Sequence, residues 1–210
     1  TVGYPRFVRN RLVGEAATRA AAALGRTGEL FPLVSRAAAL AWAARAGAAV
    51  TSLDEVGDWV LLTTPPGDAA ARLAKFVQHT GTLISSRQAA ATLAPERRHV
   101  GAPPAPVQAA LAPYLAGVAP ADLLLATSGM NAAAAAIAAI DAVQRPRGRR
   151  AWIQLGWLYV DSTRLLEKAA DAPHHFIADV RDLAAVERLL AAGDVAGVLT
   201  ELPNNPQLET

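Results

Sequence analysis

The strongest constraint on this sequence is the alternation of short apolar runs with longer helical patterns between residues 121 and 203. "ADLLLAT" reads as a strand and "SGMNAAAAAIAAIDAVQ" as a helix, followed by the strand "RRAWIQLG" and the helix "VDSTRLLEKAAD". The strand "HHFIAD", the helix "VRDLAAVERLLAAGD" and the strand "VAGVLTELP" complete the series. Strands separated by helices of this length predict βαβ units and a largely parallel sheet covered on both faces. In the third of these helices Leu183, Val186, Leu189 and Leu190 recur at spacings of three and four, one apolar stripe for the sheet. The alanine run at 132–136 is expected to let its helix approach the sheet closely.

The front of the chain is less regular. Residues 1–100 alternate arginine-bearing turns with alanine-rich helical stretches such as "SRAAALAWAARAG", and "DWVLLTTPP" is one clear strand. The prolines of "HVGAPPAPVQAALAPY" break any regular element. The expected organisation is an α/β N-terminal region over 1–100 with oligomer contacts, then the first part of a larger domain over 101–210.

Composition narrows the function classes. With 52% hydrophobic and 18% charged residues a substantial core can form, although much of the apolar count is alanine, which buries little surface per residue. The net charge of +2 comes from scattered arginines, with Lys75 and Lys168 the only lysines, so nucleic acid is not expected as a partner. "RPRGRR" at 145–150 reads as a solvated loop. The absence of cysteine removes disulfides, thiolate metal sites and cysteine nucleophiles, and no metal site is expected. No apolar run approaches the ~20 residues of a membrane span, and no signal-peptide pattern opens the chain. A cytoplasmic protein, incomplete at its front because it starts at Thr1 without methionine, is the expectation.

In open α/β sheets ligands bind beyond the carboxyl ends of the strands. The turn in "LLLATSGMNAAAA" sets Ser128 as an N-cap and Gly129 as a tight turn, and free N–H groups at such a helix start suit a phosphate. Alone, it reads first as an ordinary capped helix. The next strand ends near Trp157, Tyr159 and a charged pair, Asp161 and Arg164, and the last adds Glu201 and Asn205. Together these strand ends describe a pocket for a flat phosphorylated ring.

These residues carry a resemblance. "TSGM" before an alanine-rich helix, then "YVDSTR" and "ELPNNP", resemble in order and spacing the S-S-G-M, Y-G-G-T-x-R and E-x-P-x-N-P signatures of the pyridoxal-phosphate enzymes of cysteine and methionine metabolism. Upstream, "QHTGTLISSR" at 78–87 is similar to the Q-H-T-G-x-x-I-S-S-R segment of the fungal-type cystathionine γ-synthases, the most specific of the four matches. The resemblance covers residues 75–210 well and the opening "YPRFVRNRLV" and "LFPLVSRAAA" more loosely. Ser85 replaces the tyrosine of the family's Y-S-R, and Val160 and Asp161 replace the glycines of Y-G-G-T.

The resemblance implies a fold-type-I, transferase-like α/β fold with an incomplete, mostly parallel sheet. It implies pyridoxal 5′-phosphate as cofactor, with Gly129 and Met130 giving N–H groups to the phosphate and Ser128 at the cap. Tyr159 would stack on the ring, Asn205 would bond its 3-oxygen, and Glu201 would brace that strand end. Arg87 would reach the phosphate of a neighbouring subunit in a homo-oligomer, a dimer or tetramer. His79 and Gln78 match the subgroup without an assigned role, and His174 and His175 read as structural. The Schiff-base lysine and the acid that keeps the pyridine nitrogen protonated are expected beyond Thr210, so the chain alone is expected to be an inactive N-terminal fragment. The whole enzyme would join an activated homoserine ester to cysteine, in transsulfuration and methionine biosynthesis. The alternatives are a γ-lyase, a homocysteine synthase or a catalytically dead paralogue.

Overall fold

The computed structural model describes residues 9–94, 96, 104–169 and 173–203. The chain divides into two units, one of residues 1–78 and 82–127, the other of residues 79–81 and 128–210.

The first unit is organised by its central strand. β1 (Glu29–Leu33), β2 (Ser52–Val56) and β3 (Trp59–Thr64) form an antiparallel sheet in the order β1-β3-β2. Every residue of β3 is buried, because helices cover both of its faces. On one side Trp59 and Leu61 meet α1 (Arg11–Leu24) and α4 (Ser86–Leu93). On the other, Val60 and Leu62 meet α2 (Arg36–Ala46) and α3 (Asp68–Thr80). The buried residues of α1 are Val13, Ala16, Ala17, Ala20 and Ala21, the spacing of one helical face. Asn10 and Ser35 cap α1 and α2 at their starts, and Gly25 and Gly47 end them in the left-handed conformation. β1 carries Pro32 opposite Leu61, which a strand at the edge of a sheet tolerates. α5 (Pro104–Leu111) follows.

"ADLLLAT" is not a strand. A 3-10 turn covers Pro120–Asp122, and Leu123 is extended but outside any ladder, its carbonyl accepting from Gln108 Nε2 at 2.6 Å. Leu124 is 91% exposed. A continuous apolar run becomes a buried strand only when neighbours pair with it, and no described strand does so here.

The second unit holds β4 (Ala151–Leu155), β5 (His174–Ile177) and β6 (Val195–Leu199) in a parallel sheet of order β5-β4-β6. α6 (Gly129–Gln144) packs on β6 and α7 (Val160–Ala169) on β4. The link between α6 and the sheet is polar as well as apolar. Trp152 is fully buried on β4, and its Nε1–H donates to Asp141 Oδ1 at 2.9 Å. Arg145 holds the other Asp141 oxygen at 3.1 Å. Across the sheet Trp152 pairs with Gly197, where an added Cβ would lie 2.6 Å from the indole ring. The glycine makes room for the tryptophan.

Two packing expectations change. α8 (Leu183–Ala191) has no buried residue, and Leu183 and Leu190 of the predicted stripe are exposed. Of the alanine run, only Ala134 is buried.

His174 gives this unit a pH signature. Its Nε2 lies 3.0 Å from Gln154 Oε1, and burial lowers its pKa below the usual 6.5, with Glu167 opposing. As pH falls through 6.5 the unfolded chain takes up this proton more readily than the folded one, so stability is lost towards acid until the folded pKa is passed. Thermal melts over about pH 7 to 5 are expected to show a smaller loss for His174→Gln than for the parent protein.

Candidate functional site

Four segments of the second unit converge through hydrogen bonds and close contacts: residues 79–81, the start of α6, the start of α7, and Glu201 just after β6. At the start of α6, Ser128 is extended and its Oγ accepts the Asn131 N–H at 3.1 Å. The N–H groups of Gly129 and Met130 find no acceptor among the described residues. A Cβ placed on Gly129 would meet nothing within 4 Å, and Ser128 and Gly129 are exposed. Unpaired N–H groups with the positive end of a helix dipole form the donor set an anion requires.

Gly81 closes one side of that turn. It has φ +60°, and a Cβ there would overlap Ser128 Oγ and lie 3.0 Å from the Asn131 nitrogen and 3.3 Å from Met130 Cβ. The backbone at Gly81 thus sits directly against the α6 start, at a distance only glycine permits.

Two residues earlier, His79 Nδ1 lies 3.0 Å from Asp161 Oδ1, and both side chains are buried. His79 is in the last turn of α3 and Asp161 in the first turn of α7, where the helix dipole favours a carboxylate. This replaces the pairing expected from sequence, since Arg164 bonds Glu167 instead. It also explains the missing glycines of Y-G-G-T: Val160 and Asp161 are helical, and no left-handed backbone is needed there.

Glu201 completes the group. Its Oε2 accepts the Tyr159 N–H at 2.8 Å and its Oε1 accepts the Ser162 hydroxyl at 2.9 Å. α7 therefore starts with the carboxylates of Glu201 and Asp161 already in place, whereas the start of α6 has none. Of these two helix starts, that of α6 is the one left for an anion. Tyr159 is half-buried at this turn, and Trp157 on the exposed side makes an edge contact with Phe176 at 4.9 Å.

The other sequence candidates fall elsewhere. Arg87 is exposed on α4 in the first unit. Ser85, in place of the Y-S-R tyrosine, caps α4 in a reciprocal pairing with Gln88. Asn205 lies outside the described residues. Lys75 is exposed in the first unit, and Lys168 sits eight residues into α7, roughly 12 Å along its axis from Val160. Among the described residues no cluster of three His, Asp or Glu side chains could hold a metal. No described helix is long and apolar enough to cross a membrane.

The fold is α/β, with one antiparallel and one parallel sheet, and among the described residues the start of α6 keeps two N–H groups without an acceptor. No established family profile matches the chain, and no solved structure does. It is similar to a curated protein of Streptantibioticus cattleyicolor named L-2-amino-4-chloropent-4-enoate dechlorinase/desaturase, at 41% identity over 220 residues. That match takes in 98% of this chain and 44% of the relative, so the chain spans less than half of the relative's length. The finding overturns the expected cystathionine γ-synthase, and with it transsulfuration and methionine biosynthesis, and gives the dead-paralogue alternative no support. The signatures quoted from the sequence do not encode which bond of a substrate breaks.

Proposed function

We propose that this chain is part of an enzyme that removes chloride from a chlorinated, unsaturated α-amino acid and leaves a further unsaturation, with pyridoxal 5′-phosphate as cofactor. The observation that carries the reading is the 41% identity to the dechlorinase/desaturase over 98% of the chain. In L-2-amino-4-chloropent-4-enoate the chlorine sits on a carbon of the double bond. Chloride leaves that carbon with the C–Cl electron pair, a proton leaves a neighbouring carbon, and the C–H electrons become the new π bond. The net loss is HCl. Desaturation of this kind consumes no oxidant.

The residues fit part of the cofactor. The open turn at Gly129, its two unpaired N–H groups and the Gly81 wall suit a phosphate, and the half-buried Tyr159 supplies a face for a ring. The chemistry that bound pyridoxal phosphate supplies is electron withdrawal from the amine-bearing carbon and its neighbour, which acidifies the protons there. Within that reading Gly129 and Met130 hold the phosphate, Ser128 fixes the turn, and Tyr159 orients the ring. Asn205 would bond the ring's 3-oxygen, and Arg87 would serve a neighbouring subunit of a homo-oligomer. A fold-type-I arrangement and a cytoplasmic setting belong to the same proposal.

The test is chloride release from L-2-amino-4-chloropent-4-enoate by the whole reading frame that contains this chain, followed by ion chromatography. One chloride per substrate consumed, dependent on added pyridoxal phosphate and independent of oxygen, is expected. A cofactor-loaded protein that releases no chloride overturns the reading.

A further inference from the structure

The start of α7 is held by a carboxylate that arrives from β6, 42 residues downstream of Tyr159, and this arrangement has a use at the site. We propose that Glu201 is a positioning residue that fixes Tyr159 for the cofactor ring; the inference rests on the function proposed above. A carboxylate only accepts hydrogen bonds, and Glu201 accepts two within one turn, from the Tyr159 N–H and the Ser162 hydroxyl. Two contacts to residues three apart fix both the position and the tilt of that turn. The His79–Asp161 pair braces the same turn from a second element, and the half-buried Glu201 reaches it from a third. Tyr159 is thereby set by parts of the chain that converge only on folding. Pre-setting a contact residue lowers the ordering cost that a ligand would otherwise meet.

Replacement by glutamine and by alanine separates geometry from charge. A glutamine side chain in this place could still accept from the Tyr159 N–H through its oxygen and donate its amide to the Ser162 hydroxyl, which can reverse its role. Alanine loses both bonds. The experiment compares the parent protein, Glu201→Gln and Glu201→Ala by amide hydrogen exchange at Tyr159 without ligand, and by titration with pyridoxal phosphate and with inorganic phosphate. For Glu201→Ala, exchange at Tyr159 should speed up about tenfold and pyridoxal phosphate should bind about tenfold more weakly, while inorganic phosphate stays within about twofold. Glu201→Gln should restore both affected readouts. If Glu201→Ala does not fold, Ser162→Ala removes one of the two bonds and should show the same pattern at about threefold.

Unchanged exchange at Tyr159 in the alanine variant overturns the inference whatever the cofactor does. Equal weakening of both ligands also overturns it, because that is general loosening. A glutamine variant as impaired as alanine assigns the effect to charge and overturns positioning. Protection at Tyr159 that depends on Glu201, in a parent protein that does not bind pyridoxal phosphate, overturns the function proposed above and the cofactor role of Glu201 with it.

Discussion

Trp152→Ala should cost the second unit about 3–5 kcal/mol, read by denaturant unfolding, because a fully buried indole at the centre of its sheet is removed. The ring fills the space opposite Gly197 and gives Asp141 one of its partners. Trp152→Phe separates these contributions. Phenylalanine keeps most of the apolar bulk but leaves the buried Asp141 oxygen without the indole N–H, a loss of about 1–3 kcal/mol. A phenylalanine variant as unstable as the alanine one would mean that the hydrogen bond, not the volume, anchors α6.

Gly81→Ala is expected to combine a large stability loss with a binding defect. The left-handed backbone adds roughly 1–2 kcal/mol for any residue with a Cβ. Overlap with Ser128 Oγ and the Asn131 backbone adds about 1–3 kcal/mol of overpacking. Because that overlap falls on the turn carrying Gly129 and Met130, the pyridoxal phosphate binding proposed above should weaken with it. Gly129→Ala is the control. A Cβ there meets nothing within 4 Å, so stability should hold or rise by up to ~1 kcal/mol. Equal destabilisation of the two variants, measured by thermal melts, would contradict the close packing of Gly81.

Several elements were legible in the sequence because a local signal sufficed. Ser35 and Gly47 bracket α2, Ser128 marks the start of α6, and the strands β4, β5 and β6 occupy three of the apolar runs. Other features depended on partners that spacing does not reveal. "ADLLLAT" has the composition of a buried strand but lacks a neighbour to pair with, while β1 was obscured by Pro32 at a sheet edge. At the site, Ser128 and Gly129 were visible as a cap and a turn. His79 and Asp161, 82 residues apart, had no local signature of their pairing, and charge proximity pointed to Arg164 instead. The one available hint was Gly81, a glycine directly after a helical pattern, whose contact with α6 only the fold displays. The proposed reaction was the least legible feature, since none of the quoted signatures encodes a leaving group.

The tryptophans divide by environment: Trp59 and Trp152 are buried, Trp42 is half-buried against Phe76, and Trp157 is 42% exposed two residues before Tyr159. The protein therefore carries its own optical label. Acrylamide should quench the Trp157 emission first, and a chromophore settling on Tyr159 should dim that same red-shifted fraction, while the blue emission of the two core indoles reports folding. Occupancy and integrity can thus be followed in one cuvette without attaching a dye.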